Sequence, residues 1–127
     1  MTRPSKDAVF MTIAQFLATL ATCAKKHVGC VILDRNNRIL ATGYNGAPRN
    51  QPHCDKEDPC PAFMDDSISC NAIHAEMNAL MQCSNIDNIY TVIVTEIPCV
   101  KCRLMIENTG CKRIVYMERA IMKETIL

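Results

Sequence analysis

Tryptophan is absent from this chain, tyrosine occurs three times, and no block of like charge interrupts it anywhere. Each absence excludes something. Without aromatic platforms there is little on which single-stranded bases could stack, and fourteen basic against thirteen acidic side chains, a formal charge of +1, leave no electrostatic footprint for a nucleic acid. The expected partner is a small or monomeric molecule, with no nucleic acid and no membrane. No apolar run approaches the roughly eighteen residues of a membrane span. The opening Met-Thr-Arg-Pro-Ser-Lys-Asp lacks the apolar core and small-residue cleavage site of a signal peptide, so a cytoplasmic protein is expected.

What is present in excess is cysteine, nine in 127 residues. In a reducing compartment an odd set of thiols reads as metal ligands and core residues rather than disulfides, and Cys30, Cys83 and Cys111 are expected in the core. The length suits one domain over residues 1–127. From Asp7 to about Lys25, apolar Val9, Phe10, Ile13, Phe16, Leu17, Leu20 and Ala21 recur at three and four, which predicts a helix with one buried face. "HVGCVILD" and "RILATGYNG", separated by Asn36-Asn37, predict an antiparallel hairpin. Ala47 to Ser69, with four prolines, shows neither period and predicts a long loop, uncommon unless a function or a metal holds it. A helix through Leu80, a strand "YTVIVTE", a helix opening at Pro98 and a strand "RIVYM" follow. The alternation indicates an α/β layer with a partly parallel sheet.

Within "SCNAIHAEMNAL" a histidine and a carboxylate stand two positions apart in an otherwise apolar run. Two residues apart on a helix are about 200° apart around its axis, so His74 and Glu76 can border one site only at the helix's N-terminal end. Taken alone, the pair reads as a hydrogen-bonded core histidine and a surface glutamate. Downstream, Pro98-Cys99-x-x-Cys102 follows a strand; cysteines at i and i+3 share one side of a helix, whose N-terminus favours the thiolate. A lone Cys-x-x-Cys also fits a redox dithiol. Together, one imidazole and two thiolates make the protein share of a catalytic zinc site with a fourth position open to water, and a non-ligand glutamate can then carry protons. His-x-Glu with a downstream Pro-Cys-x-x-Cys is the signature of zinc deaminases acting on cytosine or adenine.

"ATCAKKHVGCVI", "ILATGYNGAPRNQPHC", "CNAIHAEMNAL" and "VTEIPCVKC" together resemble the deoxycytidylate deaminase family, in family order over nearly the whole chain. The resemblance implies a three-layer α/β cytidine-deaminase-like fold, a mixed sheet with an N-terminal antiparallel hairpin, covered by helices. It implies zinc-dependent hydrolysis of dCMP to dUMP and ammonia, supplying dUMP for thymidylate synthesis, with His74, Cys99 and Cys102 as zinc ligands and Glu76 as proton shuttle. Asn45 falls where similar enzymes hold the deoxyribose. Lys25, Lys26 and Arg49 stand beside family blocks as phosphate candidates, or as solvated charges. Relatives fit another helix and a fifth strand after "RIVYM"; ten residues remain here, which leaves the fifth strand open.

Cys54, Cys60 and Cys70, with Cys23 or His53, offer enough soft ligands for a second, structural zinc, or are ordinary buried thiols. The resemblance also implies a homo-oligomer, commonly a hexamer, activated by dCTP with Mg2+ and inhibited by dTTP, the nucleotide base lying by Gly43, Tyr44, Asn45 and Gly46. Three other readings stay open: a tRNA-type deaminase, a free-nucleoside deaminase, and a non-catalytic zinc-binding module.

Overall fold

A computed structural model describes residues 2–23, 25–54 and 71–127. Among the described residues, three α-helices and five strands appear in the order α1 (Lys6–Ala18), β1 (Gly29–Leu33), β2 (Ile39–Tyr44), α2 (Ala75–Gln82), β3 (Thr91–Val94), α3 (Val100–Glu107), β4 (Arg113–Glu118) and β5 (Ile121–Ile126). The sheet order is β2-β1-β3-β4-β5; β3 and β4 run parallel and every other neighbouring pair is antiparallel.

Period-two alternation divides the core in two. Val31, Leu33, Ile93 and Val115 pack against Met11 and Ala14 of α1 on one face of the sheet. Cys30, Ile32, Val92, Val94 and Ile114 pack against Ala75 and Ala79 of α2 and Ile106 of α3 on the other. β1 and β3 are covered on both sides, which is why β1 reads as an unbroken apolar run and β3 as one after Thr91. The three layers match the mixed-sheet architecture implied by the resemblance. Cys30 and Cys111 lie in the core as expected, whereas Cys83 is half-buried at its margin.

Two glycines set the depth of the layers. A Cβ on Gly29 would stand 1.8 Å from the Ala14 carbonyl oxygen, and one on Gly43 would stand 2.4 Å from that of Ala75. The backbones of α1 and α2 therefore rest directly on the hairpin, from opposite faces.

Two element boundaries correct the expectations. α1 ends at Ala18 rather than near Lys25, because the chain turns and the Thr22 N–H is taken by the Asn45 carbonyl, at 3.2 Å, instead of by the helix. α3 begins at Val100 with Cys99 as its N-cap, so Pro98 lies outside the first turn. The fifth strand, left open by the sequence, is present. β4 turns straight into β5 through Arg119 and Ala120, whose φ angles of 51° and 63° form a two-residue turn that needs no intervening helix. Of the predicted long loop, residues 55–69 lie outside the described residues.

Candidate metal centre and active site

β3 and the start of α2 converge at one end of the sheet. Ile73 is held by an antiparallel bridge to Gly46, its N–H donating at 2.7 Å and its carbonyl accepting at 3.1 Å. His74 follows as the N-cap of α2, and its side chain makes no capping bond, so the ring stays available. Glu76 is the second helical residue and only 5% exposed. Both residues therefore border the site from the helix N-terminus, the one place where their spacing allows it.

On the facing segment, β3 leads through Thr95 to Cys99. The Cys99 sulfur accepts from the Cys102 N–H at 3.5 Å, which fixes the sulfur at the mouth of α3. Cys102 is fully buried, while His74 and Cys99 are exposed. His74 Nδ1 lies 3.3 Å from the Cys102 sulfur and 3.6 Å from that of Cys99. All three donor atoms fall within 4.8 Å of one another, the one such group of potential metal ligands among the described residues. In a tetrahedral zinc site with bonds of about 2.0 Å to nitrogen and about 2.3 Å to sulfur, those atoms would be separated by roughly 3.5 Å. The residues fit the ion before it arrives.

Electrostatics point the same way. Burial pushes the Glu76 carboxyl above its ordinary range, opposed by its backbone N–H, the charge of His74 and a bond with Cys102. Burial also pushes the Cys102 thiol up, and the nearby charges of Glu76 and Cys99 add to it. The buried Glu76 and Cys102 thus crowd the exposed Cys99 beside one imidazole. A divalent cation inverts this balance, since a coordinating thiol is deprotonated outright.

The other candidates are placed differently. Asn45 is buried, and its amide is already committed: its oxygen accepts from the Val28 N–H at 2.7 Å and its nitrogen donates to the Lys26 carbonyl at 2.9 Å. It ties the segment after α1 to the end of β2. The side chains of Lys25, Lys26 and Arg49 are exposed, and Tyr44 is 37% exposed at the last position of β2. Cys23 and Cys54 are buried and His53 is exposed, but they join no described ligand group; Cys60 and Cys70 lie outside the described residues. Sequence reasoning missed Asn78, whose side-chain amide donates to the Tyr44 carbonyl at 2.8 Å. Its signal was a poor helix former in a short run of alanine, methionine and leucine.

The family model described as the cytidine and deoxycytidylate deaminase zinc-binding region matches residues 4–118. Deoxycytidylate deaminase of Schizosaccharomyces pombe is 38% identical over 122 residues, covering 90% of this chain and 37% of that protein. Deoxycytidylate deaminase of Mycobacterium phage D29 is 35% identical over 128 residues, covering 91% of this chain and 97% of that one. Among solved structures, dCMP deaminase from the cyanophage S-TIM5 in complex with dCMP and dUMP shares the fold at a TM-score of 0.71 and 28% identity, covering 91% of this chain and 83% of that one. The chain spans well under half the length of the yeast relatives it matches. No helix among the described residues is long and apolar enough to cross a membrane.

Proposed function

The chain belongs to the cytidine and deoxycytidylate deaminase zinc-binding family, and on that premise we propose that it hydrolyses dCMP to dUMP and ammonia. One observation carries the chemistry: His74 Nδ1 and the sulfurs of Cys99 and Cys102 within 4.8 Å of one another, beside the buried Glu76. The choice of dCMP draws on the deoxycytidylate deaminases of phage D29 and S. pombe, and on the dCMP and dUMP held by the cyanophage enzyme.

His74, Cys99 and Cys102 would hold the zinc. When bound, zinc supplies a Lewis acid and brings the pKa of water down to near neutrality. Glu76 takes a proton from the attacking water and passes it to N3 of the cytosine as the oxygen adds at C4. The same carboxylate then takes the proton of the C4 hydroxyl and hands it to the exocyclic nitrogen, which leaves as ammonia while the C4 carbonyl forms. A carboxyl raised by burial is suited to both halves of this exchange, because it holds a proton more readily than an exposed glutamate and still releases it. On the sugar side Asn45 acts through the Lys26–Val28 backbone that it holds in place. Lys25, Lys26 and Arg49 supply cations to the 5′-phosphate from the surface.

The test is to supply dCMP, deoxycytidine and a short cytosine-containing oligonucleotide separately and follow the ultraviolet absorbance of cytosine. Loss with dCMP alone is expected; turnover of the nucleoside or the oligonucleotide in its place, or of none, would overturn the reading.

Finer parts of the reading have their own measurements. A second, structural zinc involving Cys54, Cys60 and Cys70 with Cys23 or His53 requires metal analysis to find about two zincs per chain. A homohexamer under nucleotide control, with Gly43, Tyr44, Asn45 and Gly46 beside the effector base, requires a sigmoidal dCMP saturation curve. That curve should become hyperbolic with dCTP and Mg2+ and fall with dTTP.

A further inference from the structure

The loop from Gly43 to Gly46 is occupied by the fold at every position: Asn45 holds the segment after α1, and the other three hold the segment that carries His74 and Glu76. Gly43 admits the α2 backbone, with Ala75 O and Ala79 N at 2.4 Å and 2.6 Å from where a Cβ would stand. The Tyr44 carbonyl accepts from the Asn78 side chain at 2.8 Å. Gly46 pairs in both directions with Ile73. The two clamps bracket the site residues, Ile73 immediately before His74 and Asn78 two residues after Glu76.

The contact at Gly43 limits how closely α2 approaches the sheet, but backbone resting on backbone does not fix rotation about the helix axis. An eight-residue helix has little rigidity of its own. An atom about 6 Å from a helix axis moves about 1 Å when the helix turns by about 10°, whereas metal–ligand distances tolerate about 0.2 Å. A directional bond from α2 to the strand end therefore adds to the Ile73 bridge and to the core packing of Ala75 and Ala79 in holding the ring of His74 toward the two sulfurs. We propose that Asn78 is a positioning residue for His74 and Glu76, acting through its bond to the Tyr44 carbonyl and setting the rotation of α2. The inference rests on the metal-dependent reading above, and it gives the Gly-Tyr-Asn-Gly loop a role independent of any regulatory nucleotide.

Asn78→Ala removes the amide and improves helix propensity; Asn78→Asp keeps the shape and removes the donor. In both, Zn2+ affinity measured by competition with a chromophoric chelator should fall about tenfold or more, the scale set by groups that orient metal ligands. The visible bands of the Co2+-substituted protein should change, and kcat for dCMP should fall while KM stays within about twofold. A control on the opposite face of the sheet, Leu33→Val, lowers the melting temperature without touching the tie or either ligand-bearing helix and should leave Zn2+ affinity and the Co2+ bands as they are. Wild-type Zn2+ affinity and Co2+ bands in both Asn78 variants would overturn the proposal, as would losses matched by Leu33→Val. If altered metal binding appears in a protein that turns over no dCMP, the positioning role stands and the proposed reaction falls.

Discussion

The two ends of β3 each carry a cluster of charge, and they resolve it in opposite ways. Where β3 begins, the Arg113 guanidinium reaches both carboxylate oxygens of Asp7, the Glu124 carboxylate and the Thr91 hydroxyl, so that α1, β3, β4 and β5 meet on one cation. Its partners favour the charged form, the bond to Asp7 most of all. Beyond the end of β3, Glu76, Cys99 and Cys102 crowd together, and burial favours the neutral forms of Glu76 and Cys102. One cluster is complete within the chain. The other keeps its neutral forms in the bare chain and takes on charge when a cation joins it.

The widest contrast comes from removing groups at the metal end. Cys99→Ala should lose zinc and activity together. Glu76→Ala should keep zinc, measured by metal analysis, while turnover falls by about 10³-fold, because a proton carrier and not a ligand has gone. Zinc loss in Glu76→Ala would erase the distinction between the two roles.

At the opposite end, Arg113→Met should lower the unfolding free energy by about 1–3 kcal/mol in urea melts, since it strands Asp7 in a half-buried setting and takes the exposed Glu124's partner away. Zn2+ affinity should not change. A matching fall in Zn2+ affinity would mean that the two ends of β3 are not independent.

A pH series on the metal-free protein separates the ends more finely. The folded-state pKa of Glu76 is raised above its ordinary 4.5 by burial. Below that ordinary value the group is protonated in both the folded and the unfolded state. As pH rises toward and through the folded pKa, the unfolded chain ionises first, and stability is lost. Glu76→Gln should flatten that decline and be more stable than the parent above the window, while remaining inactive with zinc. The smallest effect belongs to the turn between β4 and β5: Ala120→Gly relieves a left-handed residue and should raise stability by about 0.5–1 kcal/mol, with metal binding and turnover unchanged.

Much of the metal end was legible because its chemistry demands particular residue types at particular spacings. His74 and Glu76 lie two apart, which only a helix start reconciles, and Cys99 and Cys102 lie three apart across an N-cap. The apolar runs of β1 and β3 were equally plain. What could not be read were features decided by competition between distant segments. α1 loses its last turn because Asn45 recruits Thr22, more than twenty residues away in sequence. β5 depends on two non-glycine residues taking positive φ, against their local preference. Asn78 and Arg113 look like ordinary surface residues until the strand ends that they contact are assembled. The Gly-Tyr-Asn-Gly loop was visible as a motif, but its ties to Ile73 and Asn78 were not.

The complete burial of β1 and β3, beside an exposed β5, also ranks the order in which the molecule comes apart. Amide protons of Gly29–Leu33 and Thr91–Val94 should exchange with deuterium only through global unfolding. Those of Ile121–Ile126, on an edge strand whose side chains are mostly exposed, should exchange through local fraying that leaves the other strands closed. The sheet then behaves as a slow-exchanging spine with a fast outer margin, and the segment that runs on from β3 to Cys99 is joined directly to the spine.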